Sequence, residues 1–451
     1  MTAVEKKKSG VFFVYGHGGT GKTFLWKTLA ASIRSKGEIV LNVTSSGIAS
    51  LLLTSGTTAH SRFHIPLILN EDSLCHMKPD NDVASLIKKT TLIIWDEAPM
   101  VHKHAFEALD RSMNDIFNAQ RSGDSHMLFG GKVIVFGGDF RQIMPVIPNA
   151  VLRLTRNKRL TANSESSEIE QTRDFAKWIL DLGEGKVGGD NDGETVIEIP
   201  HDLLIFDCID PISALIEFVY PSILENINNS VYFQERAILA PKNEVVQEIN
   251  DCLLSLFPGE EKEYLSSDTL CESEHLHDEF DKTLYSPDIL DGLKLSGIPN
   301  HKILLKVGVP IMLLRNIDQK SGLCNGTRLR VLTLGNRVIE AQVIAESNFG
   351  SRTFIPRMSL TPIDKRIPFK FQRRQFPIVV CFAMTINKSQ GQSLSKVGLF
   401  LRQPVFTHSQ LYVALSIVKS KQGLKVLIMD YDGIIDSKTT NVVYKEVFSN
   451  I

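Results

Sequence analysis

Long apolar runs broken by glycine and acidic residues organise the first third of the chain. The stretch GVFFVYG (10–16) is β-branched and aromatic and ends in glycine, which predicts a buried strand of a parallel sheet. KTFLWKTLAASIRSKG follows with helical spacing and a stop at Gly37. EIVLNVT, KTTLIIWDEA and GKVIVFGGDF read as further strands, the last two running into acidic residues at their C-terminal ends. Strands alternating with helices predict a doubly wound α/β domain, with ligands collecting beyond the carboxyl ends of the strands. GEGKVGGDNDGE (183–194) reads as a loop.

From about 300 to 375 the period shortens to strands separated by turns: ILLKVGVPIMLLRN, GTRLRVLTLGNRVIEAQVI and RTFIPRMSL. FPIVVCFAMTI and LKVLIMDY then return to long buried strands, and LYVALS (411–416) reads as a short apolar turn. The expected fold is α/β: two α/β domains, with a small β-barrel inserted in the second. The expected boundaries are 1–160 for the first domain, 161–300 with 371–451 for the second, and 301–370 for the insertion.

Composition changes this picture little. At 451 residues the chain has room for two or three domains, and 43% hydrophobic with 22% charged residues is an ordinary globular balance. A net charge of −1 means that any polyanion must be held by a local basic groove. Six scattered cysteines (Cys75, Cys208, Cys252, Cys271, Cys324, Cys381) lack metal-ligand spacing and read as free thiols of an intracellular protein. No apolar run approaches the ~20 residues of a membrane span, so no membrane partner is expected. MTAVEKKKSG lacks the apolar core of a secretory signal.

GHGGTGKT (16–23) fits G-x-x-x-x-G-K-[ST] and lies between a strand and a helix, the context this phosphate-binding loop requires. Gly16, Gly18, Gly19, Thr20 and Gly21 would turn backbone N–H groups onto phosphate oxygens at the positive end of a helix. Lys22 would reach the β- and γ-phosphates of ATP, and Thr23 would ligate Mg²⁺. LIIWDEAPM (92–100) supplies the complement: Asp96 to hold the magnesium and Glu97 to activate water. In VFGGDFRQIMPV (135–146), Gln142 can touch the γ-phosphate and the attacking water, although an isolated loop glutamine reads equally as surface.

With GLCNGTRL (322–329), AMTINKSQGQSL (383–394) and LYVALS, these motifs resemble, in order, those of the PIF-type (petite integration frequency) DNA helicases in their plant and Helitron-like branch, within superfamily one and akin to RecD-type enzymes. The resemblance runs from about residue 11 to 430. It implies two RecA-like motor domains that close on ATP, an SH3-like insertion in the second, and 5′-to-3′ stepping on single-stranded and forked DNA. It also implies roles in DNA repair, recombination and telomere maintenance. On VTSSGIASLLLTSGTTAHSRF (43–63) it places Thr44, Ser45, Thr57 and His60 against DNA, and on TINKSQGQS it places Thr385, Lys388, Ser389 and Gln390 there. For any single residue, a helix cap or a turn explains the hydroxyl as well. In LRLTRNKRL (152–160), Arg159 takes the place of a γ-phosphate ligand. The polar segment 64–85 would be the wedge at the strand junction. KRIPFKFQRRQF (365–376) mixes cations with Phe369, Phe371 and Phe376, which suits base stacking but also a β-barrel core.

Two departures stand out. Where the family follows YVALS with an arginine finger, this chain has Ile417, which offers neither charge nor donor. Loss of such a finger costs about 10³ to 10⁵ in rate, so impaired hydrolysis with retained ATP binding is expected. Relatives also carry a glutamine that reads adenine upstream of the first strand, and none precedes Val11 here, as in a fragment or a shortened chain. The leading expectation is an ATP-dependent DNA helicase, monomeric and nuclear, with the mitochondrion as the alternative site. The competing expectation is an ATP-responsive single-stranded DNA binder whose motor has lapsed.

Overall fold

The computed structural model describes residues 2–6, 8–78, 80–118, 127–142, 151–153, 166–189, 192–206, 209–271, 287–295, 297–345, 348–362 and 369–448. Its first lobe is built on a parallel six-stranded sheet in the order Thr57–Thr58, Ile39–Thr44, Thr90–Asp96, Val133–Gly138, Gly10–Tyr15, Val151–Arg153. The pairing aligns the carboxyl ends: Thr44 lies opposite Asp96, and Tyr15 opposite Gly138. The apolar runs that predicted these strands are covered on both faces. One face meets Trp26, Ala30 and Ile33, which recur at helical spacing along the Lys22–Arg34 helix. The other meets the Lys103–Asn118 helix, where Phe106 packs on Trp95 and Phe136. Gly37, at φ 77°, closes the first helix as its spacing predicts.

A parallel four-stranded sheet forms the second lobe: Ala383–Thr385, Arg236–Ala240, Lys396–Leu401, Leu424–Ile428. The helices Pro211–Val219 and Asn243–Leu256 bury Leu215, Val219, Ile249 and Leu253 in one of its cores. A second core holds Phe175, Ile179 and Leu182 of the Ser166–Gly183 helix with Tyr412 and Leu415. LYVALS is therefore helical, as part of Gln410–Ser416, and not a turn.

The antiparallel region is wider than the expected 301–370. Its strands run from Lys262–Leu265 to Ile378–Val380 and make a five-stranded, a three-stranded and a two-stranded sheet. FPIVVCFAMTI is not one long strand: Ile378–Val380 joins the five-stranded antiparallel sheet, and Ala383–Thr385 joins the parallel sheet of the second lobe. Asn250, 1% exposed, pins the break between them. Its amide nitrogen donates to Val380 O and Ala383 O, both at 3.1 Å, and its oxygen accepts from Phe382 N at 3.0 Å and Ala383 N at 2.8 Å.

The Phe371–Gln375 strand alternates, with Phe371, Arg373 and Gln375 turned inward. Arg373 is fully buried and forks onto Asp268 Oδ2 at 2.8 and 2.7 Å. Phe371 and Phe376 are core residues, so the β-core reading of this stretch holds over base stacking for those two. Segment 64–85 is less polar than expected: Ile65, Cys75 and Met77 are buried in the first lobe, while Leu67 and Ile68 are 70% and 60% exposed. Cys75, Cys252, Cys271, Cys324 and Cys381 are free thiols, and Cys208 lies outside the described residues. Among the described residues no helix is long and apolar enough to cross a membrane.

Candidate active site

The loop after Gly10–Tyr15 turns through Gly19 at φ 85° and Gly21 at φ 88°, backbone that L side chains rarely adopt. Thr20 Oγ1 donates to His17 O at 2.7 Å and tightens the loop. Lys22 is buried, its ammonium folded back onto the carbonyls of Gly16 and, at 3.5 Å, His17. Those carbonyls occupy donors that phosphate oxygens would take. His17 is also buried, which lowers its pKa from the usual histidine value.

Asp96 ends its strand 6% exposed, and among the described residues Oδ1 has no hydrogen-bond partner. Burial raises its pKa, with Lys22 pulling the other way. Half-buried Glu97 sits in left-handed backbone at φ 52°, and desolvation followed by the charge of Asp96 pushes its carboxyl up to about 7. Two adjacent carboxylates with an unfilled lone pair, next to a threonine hydroxyl, suit a hard divalent cation. Thr23 and Asp96 would hold magnesium here, and the ion would neutralise charge on the β- and γ-phosphates. Trp26 fits beneath this site because residue 137 is glycine: a Cβ there would lie 2.2 Å from the indole.

A cleft of about 390 Å³ gathers Lys22, Thr23, Asp96, Glu97 and Gln142 from the first lobe and Gln390, Ser416 and Ile417 from the second. Ile417, 5% exposed, thus stands on the cleft wall. Lys419 does not replace the missing cation, because its ammonium pairs with Glu235 at 2.6 Å. Arg159 lies outside the described residues.

The residues expected at DNA divide into two groups. Thr44 is fully buried and donates to Ser46 O at 2.7 Å, Ser45 Oγ accepts from Trp95 Nε1 at 3.1 Å, and Ser389 is buried and donates to Ile386 O at 2.6 Å. Thr44 and Ser389 thus spend their hydroxyl protons on carbonyls of their own loops, while the half-buried Ser45 takes its bond from the neighbouring strand. Gln390 faces the nucleotide cleft. Thr57, His60, Thr385 and Lys388 are half-buried; Thr57 Oγ1 accepts from Arg62 Nε at 3.2 Å, and burial lowers the pKa of both His60 and Lys388. The helix caps are the neighbours Ser46 and Thr58.

Four residues near the cleft were assigned no role from the sequence: Asp139, Arg141 and Tyr412, which lie inside quoted motifs, and Glu184. Tyr412 Oη donates to Asp139 Oδ2 at 2.7 Å across the lobes, and Arg141 pairs with Glu184. Asp268, Asp291 and His301 also come within metal-ligand spacing in the antiparallel region. There Asp268 already accepts from Arg373 and from Ser266, and His301 meets Asp291 at 2.9 Å, so the group is an ion-pair network.

Comparison with known proteins agrees with this geometry. Residues 1–193 match the family model of the PIF1-like helicases, and residues 288–334 match that of the 2B domain of DNA helicase Pif1. The ATP-dependent DNA helicase PIF1 of Xenopus laevis is 26% identical over 94% of this chain and 59% of its own length. The ATP-dependent DNA helicase Pif1 of Bdellovibrio bacteriovorus is 25% identical over 94% of this chain and 86% of its own. The chain thus spans about three fifths of the length of the Xenopus relative. The crystal structure of the Bacteroides Pif1 helicase in complex with ADP-AlF3 and single-stranded DNA superposes with a TM-score of 0.62 at 20% identity, covering 94% of this chain and 90% of that one, a likeness of fold.

Fold and cleft together define a P-loop α/β protein built on two RecA-like lobes. The two family models and the relatives support its placement among the PIF1-like helicases.

Proposed function

We propose that this chain is an ATP-dependent 5′-to-3′ DNA helicase of the plant and Helitron-like branch, acting on single-stranded and forked DNA. One observation carries the reading: a single cleft joins Lys22, Thr23, Asp96, Glu97 and Gln142 of one lobe to Gln390, Ser416 and Ile417 of the other. A triphosphate bound there touches both lobes, so its hydrolysis alters how they fit together. Lys22 leaves the loop carbonyls for the β- and γ-phosphates. Glu97, with its pKa near neutrality, takes a proton from water that Gln142 orients. Thr57, His60, Thr385 and Lys388 would line the DNA track, where a backbone grip needs no base readout.

Ile417 favours a second reading, an ATP-responsive single-stranded DNA binder whose motor has lapsed. With an alkyl group on the cleft wall, charge on the transferring phosphoryl group goes unanswered from the second lobe, and hydrolysis is slow. Repair, recombination and telomere maintenance are the proposed settings, in the nucleus or alternatively the mitochondrion. ATPase activity measured with and without single-stranded DNA separates the readings. Stimulated turnover supports the helicase, DNA binding that responds to nucleotide without turnover supports the lapsed motor, and neither response refutes both.

A further inference from the structure

The two elements that face the cleft from opposite lobes are joined by one buried hydrogen bond. Asp139 directly follows the Val133–Gly138 strand, is 1% exposed, and its backbone carbonyl accepts from Gln142 N at 2.9 Å. It therefore anchors the turn whose third following residue, Gln142, lies on the cleft wall. Tyr412, also 1% exposed, lies on the Gln410–Ser416 helix, whose end brings Ser416 and Ile417 to the opposite wall. The 2.7 Å bond from Tyr412 Oη to Asp139 Oδ2 thus links the two walls directly.

Three details make this a link that can open and close. Burial and the neighbouring carboxylate push the Tyr412 phenol far above its ordinary value, so it remains a donor at any working pH. Asp139 is also served within its own lobe: Oδ1 accepts from Arg141 N at 3.1 Å and faces Arg141 Nη1 at 3.5 Å. If the lobes part, the carboxylate keeps a cation and an amide and is not left as an orphan charge. Gly183 lets the Tyr412 ring seat against the Ser166–Gly183 helix within the second lobe, since a Cβ there would lie 2.5 Å from Tyr412 Cδ2. Arg141 in turn pairs with Glu184, the residue after Gly183, so the second contact between lobes lies beside the first.

We propose that Tyr412 is a positioning residue: its bond to Asp139 registers the second-lobe helix against the Gln142 turn and conveys the state of the cleft from one lobe to the other. This rests on the helicase reading. The test uses the full chain and two measurements: affinity for a fluorescent single-stranded oligonucleotide with and without a non-hydrolysable ATP analogue, and DNA-stimulated ATPase. Tyr412→Phe keeps the ring and its packing while removing the donor. It should leave the KM for ATP within about twofold and lower stimulated kcat about tenfold or more, the scale of one lost hydrogen bond to a charged group. The ratio of DNA affinities with and without analogue should fall toward one. Asp139→Asn, which still offers an oxygen to the phenol, should keep more of that ratio than Asp139→Ala.

A Tyr412→Phe protein that melts earlier but keeps ratio and kcat overturns the proposal, and so does equal loss in both Asp139 variants. Wild-type protein with no nucleotide-dependent change in DNA affinity would refute the helicase reading itself. A wild-type response that survives Tyr412→Phe refutes this inference alone.

Discussion

Replacing Ile417 by arginine puts a cation on the wall of the cleft between the lobes. Residue 417 closes the Gln410–Ser416 helix in right-handed backbone at φ −80°, and its carbonyl accepts from Leu394 N at 3.0 Å, so its Cα is fixed. From there a guanidinium enters a cleft of about 390 Å³ that also holds Lys22, Asp96, Glu97 and Gln142. Two effects compete. Burying the isoleucine is worth about 1.5–3 kcal/mol, and part of that is lost on substitution, so the variant should melt a few degrees lower. Against this, a correctly placed finger is worth about 10³ to 10⁵ in rate. The full gain is not expected, because Asp96 and Glu97 attract the new cation before nucleotide arrives and nothing else orients its fork.

The expected outcome for Ile417→Arg is at least a tenfold rise in DNA-stimulated kcat, by reference to the finger's full worth, with little change in the KM for ATP. Ile417→Met, of similar volume and no charge, should match wild type. Steady-state ATPase over a range of oligonucleotide concentrations reads both constants. Unchanged turnover in a folded Ile417→Arg protein would refute the assignment of residue 417 to the finger position.

Other outcomes follow from charge and satisfaction. Glu97 acts as a base only when ionised and its carboxyl sits near 7, so kcat/KM should fall on the acid side with a limb at about pH 7. The same raised value means that folding penalises the ionised form above about pH 7 and not below the ordinary carboxylate range. Glu97→Gln should therefore abolish turnover yet raise the melting temperature at pH 8, with the gain vanishing near pH 4; a pH-independent difference in calorimetry would contradict this. Asn250→Leu removes four buried hydrogen bonds and should cost about 4 kcal/mol or more, at about 1–3 kcal/mol for each group left unsatisfied. Denaturant unfolding reads that loss directly, and a change under 1 kcal/mol would mean that water replaces the amide.

The first lobe was legible because its strands are unbroken apolar runs and its chemistry sits where they end, so Lys22, Thr23, Asp96 and Glu97 could be placed by position alone. Contacts made far along the chain were not. The Asp139–Tyr412 bond spans 273 residues, and no local pattern announces it. FPIVVCFAMTI reads as one strand because both halves are buried; its break is imposed by Asn250, about 130 residues earlier. The Phe371–Gln375 strand misled differently. Its alternation is regular, but its inward face carries Arg373 and Gln375, polar residues made tolerable by Asp268 and the carbonyls of Leu290, Leu293 and Pro299 for the first and of Tyr264 and His301 for the second. Hydroxyls at 44, 45 and 389 each have a bond inside the protein that no sequence pattern shows.

Because Ile378–Val380 and Ala383–Thr385 are separated by only Cys381 and Phe382, the antiparallel module has no slack where the chain returns from it to the motor. A tether that short, held on both sides by one asparagine, transmits force as a rod does. Whatever load it meets is delivered within a few residues to Ile386–Ser389 and Gln390, at the edge of the triphosphate cleft.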